Sequence, residues 1–160
     1  MGKGIRSKQG YTLIEVLVAA VVVVIALVAV VRLYVFCSFL SEMTGNMTRA
    51  TSAAQSKMEE IRNYTYTSIA SDYASGGAVG NTFNVTNSKG TKMGKGVVYI
   101  DSSTSSLLEV KVVVCWQDDK NDRIIGEDTD LDGVLDAGED LNSNSKIDSI
   151  VTLISKIAQK

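Results

Sequence analysis

The sequence predicts an α+β protein in which a long N-terminal helix packs on a small antiparallel sheet, with an acidic loop inserted in the C-terminal hairpin. Three observations carry this. The 19-residue run from Leu13 to Val31 is almost wholly aliphatic, with Glu15 its one ionisable residue. Short segments of alternating apolar residues follow Gly80, the period of half-buried strands. Between Glu127 and Asp148 stand eight carboxylates against one Lys, so the formal charge of -2 divides into -7 in that window and +5 elsewhere. At 160 residues the chain has the length of one domain.

Residues 1–10, MGKGIRSKQG, carry Lys3, Arg6 and Lys8 and no acid, and the apolar run follows directly. At about 1.5 Å per residue a helix over that run nearly spans a hydrocarbon core of about 30 Å. Basic residues ahead of it predict a cytoplasmic leader, with everything after it outside. A conventional signal peptide is cut after its apolar segment, whereas a cut at Gly10-Tyr11 leaves that segment on the processed chain. Glu15 is the anomaly, because a carboxylate within a membrane helix costs about 2.5 kcal/mol or more and needs a partner or a function. The amine created at Tyr11 supplies one. It stands four residues away in the same helix, or it belongs to a neighbouring subunit, in which case the buried charge becomes an assembly register.

The string Gly10-Tyr11-Thr12-Leu13-Ile14-Glu15-Val16-Leu17-Val18, behind its basic leader, resembles the processing and assembly motif of type IV pilins and type II secretion pseudopilins. The resemblance implies a structural subunit and not an enzyme. Prepilin peptidase would cut after Gly10 and N-methylate Tyr11, and Glu15 would pair with a neighbour's amine during assembly. The precursor would sit in the bacterial inner membrane with its head outside. It would then join other pilin or pseudopilin subunits in a pilus or a periplasmic pseudopilus. Major pilins usually carry a helix-bending Pro where this sequence has Arg32, and the chain contains no Pro at all. That departure, the wording EVLVA, and the continuation Ala50, Ala53, Ala54, Met58, Glu59, Glu60, Ile61, Arg62 look more like minor pilins and I-type minor pseudopilins.

The helix is expected over 11–62, with about 12–31 as its membrane or filament-core part. Neither Pro nor Gly interrupts it before Gly45. Beyond the apolar run, Met43, Met47, Ala50, Ala54, Met58 and Ile61 recur at spacings of three and four, predicting a core-facing stripe. Residues 63–160 form the head. A polar stretch with Gly76, Gly77, Gly80 and Asn81 reads as the helix-to-sheet connection. Strands are expected at Thr82 to Thr86, Val97 to Asp101, Leu107 to Trp116 and Ile147 to about Ile157. Turns at Asn87 to Gly90 and Ser102 to Ser106 make the pairing antiparallel. In the third strand Leu108, Val110, Val112, Val114 and Trp116 should face the helix.

Within the acidic window (127–148), Asp128, Asp130, Asp132, Gly133, Asp136 and Glu139 fill positions 1, 3, 5, 6, 9 and 12 of an EF-hand loop. Calcium is a hard ion that takes six to eight oxygens. Close-set carboxylates supply them, Val134 offers its carbonyl, Asp136 acts directly or through water, and Glu139 closes the site. A weaker second loop overlaps it, with Asp140, Asn142, Asn144, Lys146 and Asp148. There Ser145 replaces the glycine, and Val151 at position 12 cannot ligate by side chain. One Ca2+ site is therefore expected, with a second, weaker one beside it. Strand-like flanks make the loop resemble the helix-poor calcium repeats of dockerins or thrombospondin type 3 modules more than a sensor EF-hand. Self-repulsion among the carboxylates predicts that Ca2+ orders the loop and stabilises the head.

Composition excludes other classes. Without His there is no histidine triad or His-based hydrolytic metal site, and two cysteines cannot complete a four-thiolate cluster. No Walker loop occurs, and the basic residues form no stripe for nucleic acid. Cys37 and Cys115 leave open either a bridge in an oxidising compartment or two free thiols. Trp116 is expected in the core. The function predicted is a minor structural subunit of a type IV pilus. The alternatives are a minor pseudopilin of a type II secretion system and a non-assembling, membrane-anchored extracytoplasmic calcium-binding module.

Overall fold

The computed structural model describes residues 11–87, 89–104, 106–118 and 122–159. The leader and Gly10 lie outside the described residues. The chain divides into two compact units, one up to Glu42 and one from Met43 onward. Helix α1 runs Leu13–Arg62, 50 residues. Its start is fixed by Thr12, whose Oγ1 accepts from the Glu15 main-chain N–H at 3.3 Å, the first half of a capping-box arrangement. In the first unit every residue from Tyr11 to Ser38 is exposed. The helix is long and apolar enough there to cross a membrane, and none of that apolar window is buried within the protein.

In the second unit the buried face of α1 comprises Asn46, Ala50, Ala54, Met58 and Ile61. The expected stripe is thus shorter than its periodicity: Met43 and Met47 are 43% and 44% exposed. Spacing identifies which face of a helix is apolar but not how far along it a partner reaches. Asn46 is buried ahead of Ala50 and Ala54, which are both fully buried and are the first residues of α1 in the hydrophobic core. Burying Ile61 completely is worth about 1.5–3 kcal/mol. A short helix absent from the sequence reading, α2 at Tyr66–Asp72, adds Ile69, and Tyr73 just after it, to the same core.

Among the described residues five strands form one antiparallel sheet: β1 Thr82–Thr86, β2 Lys92–Thr104, β3 Leu107–Gln117, β4 Ile124–Ile125 and β5 Val151–Ala158. The α+β class, the long helix and the antiparallel sheet are as the sequence predicts, and β1 keeps its expected bounds. Strand β2 starts earlier than expected because Gly94 and Gly96, poor strand formers, hide it. A Cβ on Gly96 would collide with the Phe83 ring, and one on Gly94 with Cys115 and Trp116, so close packing requires both glycines. Strand β5 starts later than expected, since residues 147–150 close the acidic loop instead.

The central strand is β3. It pairs with β2 on one edge (Val98↔Val112). On its other edge it pairs with β5 (Val114↔Val151) and β4 (Trp116↔Ile125). The acidic loop therefore leaves and rejoins one sheet edge, interrupting the returning strand. Leu108, Val110, Val112, Val114 and Trp116 pack with Ala50, Ala54, Met58 and Ile61, the predicted face. The opposite face is not solvated as a half-buried strand would be. Val97, Val113 and Cys115 form a second core with Leu131 and Ile147, which the loop brings down onto the sheet. Cys37 is exposed, Cys115 is buried, and both are free thiols.

Candidate functional site

The acidic loop folds as two successive turns with matching backbone geometry. In the first, Asp128 Oδ1 accepts from Asp132 N (3.1 Å), and its Oδ2 from Gly133 N (3.0 Å). Asp130 Oδ1 accepts from Asp132 N (3.1 Å) and Asp132 Oδ1 from Val134 N (2.6 Å). In the second, Asp140 Oδ1 and Oδ2 accept from Asn144 N (3.0 Å) and Ser145 N (2.8 Å). Asn142 Oδ1 accepts from Asn144 N (3.1 Å), and Asn144 Oδ1 from Lys146 N (2.8 Å). The left-handed residues also correspond, Leu131 (φ 59°) with Ser143 (59°) and Gly133 (85°) with Ser145 (61°). Ser145 thus adopts the conformation that glycine adopts in the first turn, at the steric cost a Cβ carries there.

The carboxylate that closes each turn follows the same rule. Glu139 Oε1 accepts from Thr129 N and Thr129 Oγ1 (2.6 Å each), and its Oε2 from Asp136 N (3.0 Å). In the second turn, where position 12 is Val151, the corresponding main-chain donors are Leu141 N and Asp148 N. Both give their protons to Glu127, Oε1 at 3.2 Å and Oε2 at 2.9 Å. A residue that precedes the first turn therefore closes the second. The sequence reading missed it, although its trace is visible: Glu127-Asp128 is repeated as Glu139-Asp140.

In the first turn the carboxylate oxygens converge. Ligand atoms of Asp128, Asp130 and Glu139 lie within 4.8 Å of one another, as do those of Asp130, Asp132 and Asp136. Asp128 is fully buried and Glu139 is 5% exposed, whereas Asp130, Asp132 and Asp136 face solvent. Burial pushes the Asp128 carboxyl above its usual range, outweighing the bonds from Gly133 and Asp132. Glu139 is held below its usual range, chiefly by the Thr129 hydroxyl. These oxygen-only clusters could hold a metal ion, and a cation there would relieve the buried Asp128 charge.

The second turn has a different cation already in reach. Asp148 Oδ2 accepts from Asn142 Nδ2 (2.8 Å) and Asn144 Nδ2 (2.6 Å), and its Oδ1 pairs with the Lys111 ammonium, which rises from β3. Lys111, followed by these two amides, holds the Asp148 carboxyl down to about 2. Two further contacts fix the loop to the sheet: Lys92 Nζ donates to Leu131 O (2.7 Å), and Ile147 N to Tyr99 OH (2.8 Å).

At the N-terminus Tyr11 and Glu15 are both exposed on the first unit, and Gly10 lies outside the described residues. Residues 5–31 match the family model of the prokaryotic N-terminal methylation motif. That motif is the hallmark of type IV pilin and pseudopilin prepilins. It supports a type IV pilin or pseudopilin precursor and suggests a structural, non-enzymatic protein. With it go processing by prepilin peptidase and assembly with other pilin subunits. The motif and the apolar helix fit a precursor anchored in the inner membrane. No curated protein and no solved structure matches the chain.

Proposed function

We propose that the chain is a minor structural subunit of a type IV pilus, cut after Gly10, N-methylated at Tyr11 and assembled through its N-terminal helix, with a head stabilised by Ca2+. The observation that carries it is the methylation motif over residues 5–31, continuous with an apolar helix whose one carboxylate is Glu15. In this reading 1–10 is the leader, about 12–31 the membrane and filament-core segment, and 63–160 the head. Arg32, in place of a helix-bending Pro, favours a minor subunit. Glu15 neutralises a neighbouring Tyr11 amine and sets the stagger between subunits.

Calcium binds the first turn through Asp128, Asp130, Asp132, the Val134 carbonyl, Asp136 and Glu139. Extracellular modules commonly hold Ca2+ at about 0.1–1 mM, which suits an exported filament. The second turn, with Asp140, Asn142, Asn144, Lys146 and Asp148, fits the loop pattern less well and is the weaker candidate.

Peptide mass spectrometry on sheared surface filaments and on membranes tests the reading. N-methyl-Tyr11 peptide that is present but scarce in the sheared fraction supports a minor pilin, and abundance there makes this the major subunit. Methylated peptide confined to the envelope supports the minor pseudopilin of a type II secretion system. An intact leader everywhere leaves a non-assembling, membrane-anchored calcium-binding module. Calcium uptake by the full chain in detergent micelles, lost in Asp128→Ala with Glu139→Ala, tests the metal reading. No uptake at millimolar Ca2+ refutes it.

A further inference from the structure

The two turns share a hydrogen-bonding scheme but not a charge. The first gathers five carboxylates, Asp128, Asp130, Asp132, Asp136 and Glu139; its nearby ammonium, Lys92 Nζ, is spent on the Leu131 carbonyl (2.7 Å), and no ion pair to any of the five is seen among the described residues. The second gathers three, Asp140, Asp148 and Glu127, because asparagines stand where the first turn has Asp130 and Asp132. Its position-9 carboxylate, Asp148, is paired to Lys111.

Lys111 is not a loosely placed surface charge. It lies in the middle of β3, paired across to Tyr99 on one side and Ile154 on the other. Its side chain is 19% exposed and that of Asp148 is 29% exposed. An ammonium held this way on a rigid strand makes a more favourable ion pair than a flexible surface lysine, because little side-chain freedom is lost in forming it.

From this juxtaposition we infer that the loop carries one exchangeable cation and one built-in cation, the Lys111 ammonium serving the second turn as a metal ion serves the first. The inference rests on the calcium reading of the first turn, but the role of Lys111 is separable from it. The second turn is folded at any Ca2+ concentration and keeps the loop seated on the sheet through Ile147. The first turn alone responds to the ion. Removing Lys111 would leave the three carboxylates without that counter-charge, which loosens the turn and opens it to a second ion.

Two measurements on the full chain in detergent micelles separate the claims. In EGTA, hydrogen exchange of the Asn144, Ser145 and Lys146 amides is expected to be at least about tenfold slower than that of Asp132, Gly133 and Val134. Lys111→Met, which keeps the aliphatic stem, and Asp148→Asn, which removes the other partner, should each abolish that difference, while Lys111→Arg retains it. Equal exchange in the two wild-type turns, or undiminished protection in both Lys111→Met and Asp148→Asn, overturns the inference. In calcium titration the wild type should bind one ion and Lys111→Met two; two in the wild type, or one in the variant where the wild type also binds one, overturns it as well. A protected second turn in a chain that takes up no Ca2+ refutes the calcium reading alone and leaves the role of Lys111 standing.

Discussion

Glu127 and Glu139 hold equivalent main-chain positions in successive turns. Glu127 accepts from Leu141 and Asp148, and Glu139 from Thr129 and Asp136. Only Glu139 closes the carboxylate cluster of the first turn. Glu139→Gln should therefore weaken Ca2+ uptake at least tenfold, about 1.4 kcal/mol. Glu127→Gln places an amide NH2 against one of its two N–H donors, Leu141 and Asp148, whose bonds to it are part-buried, costing about 0.5–1.5 kcal/mol in EGTA and in Ca2+ alike. Its effect on first-turn affinity should stay within a few-fold. Paired calcium titrations and denaturant unfolding of the two variants check the division.

Acid should act on the helix seam as well. Tyr73 OH donates to Glu60 Oε1 at 3.0 Å, Lys57 Nζ donates to Glu60 Oε2 at 2.7 Å, and Lys57 lies 5.2 Å from the centre of the Phe83 ring. Lys57 first, with Tyr73 adding to it, holds the Glu60 carboxyl below its ordinary 4.5. A depressed folded value means that the unfolded chain binds more protons there. The stability Glu60 contributes is complete above its ordinary value and drains away as pH falls through the lower, folded one. Glu60→Gln should flatten that part of the acid slope as pH falls through and below the ordinary 4.5, read by denaturant unfolding at fixed Ca2+. Tyr73→Phe should cost about 1 kcal/mol at neutral pH, and no loss would mean that the hydroxyl is satisfied equally well by solvent.

Gly126 sits where the chain leaves β4 for the loop, with φ at 115° and Cys115 Sγ directly against it. A Cβ there has no room, and the backbone is strained for any L side chain. Gly126→Ala should destabilise the head by about 1–3 kcal/mol. Gly138→Ala also carries a left-handed φ, 97°, but has open space around it. Its cost should be the smaller of the two. Thermal unfolding of both variants decides whether packing against Cys115 or backbone strain dominates.

What the sequence disclosed follows from the range of its signals. Helix α1 and the alternation of β3 are local patterns of hydropathy that survive into the structure, and the acidic spacing of the first turn is a local pattern whose carboxylate oxygens the fold gathers. The end of the buried stripe, at Asn46 with its apolar part at Ala50, is not local, since it depends on how far the head covers the helix. Helix α2 is too short for periodicity to mark, and β2 is masked by Gly94 and Gly96, whose missing side chains make room for Phe83 and Trp116. The second turn was undervalued because position 12 is Val151, while its carboxylate, Glu127, arrives from the other end of the loop. Lys111 belongs to a strand whose pattern says nothing about Asp148. Only the register Lys111↔Ile154 and the return of the chain at Val151 bring the two together.

Glu15 offers the sharpest separation of membrane anchoring from assembly. Its cost in a membrane helix, about 2.5 kcal/mol, is a burden on insertion and not an aid to it. Glu15→Ala should therefore insert into the inner membrane at least as well as the wild type. Thr12, whose hydroxyl accepts from the main-chain N–H of residue 15, still caps the helix in that variant, so the fold of α1 is not at issue. If the carboxylate serves as the counter-charge for a neighbour's Tyr11 amine, the variant should accumulate in membranes and vanish from sheared filaments. Glu15→Asp, one methylene shorter, should recover part of the incorporation. Quantitative immunoblotting of the two fractions measures this directly. Wild-type incorporation of Glu15→Ala would show that the carboxylate plays no part in subunit contacts and would remove the main physical argument for assembly through this helix.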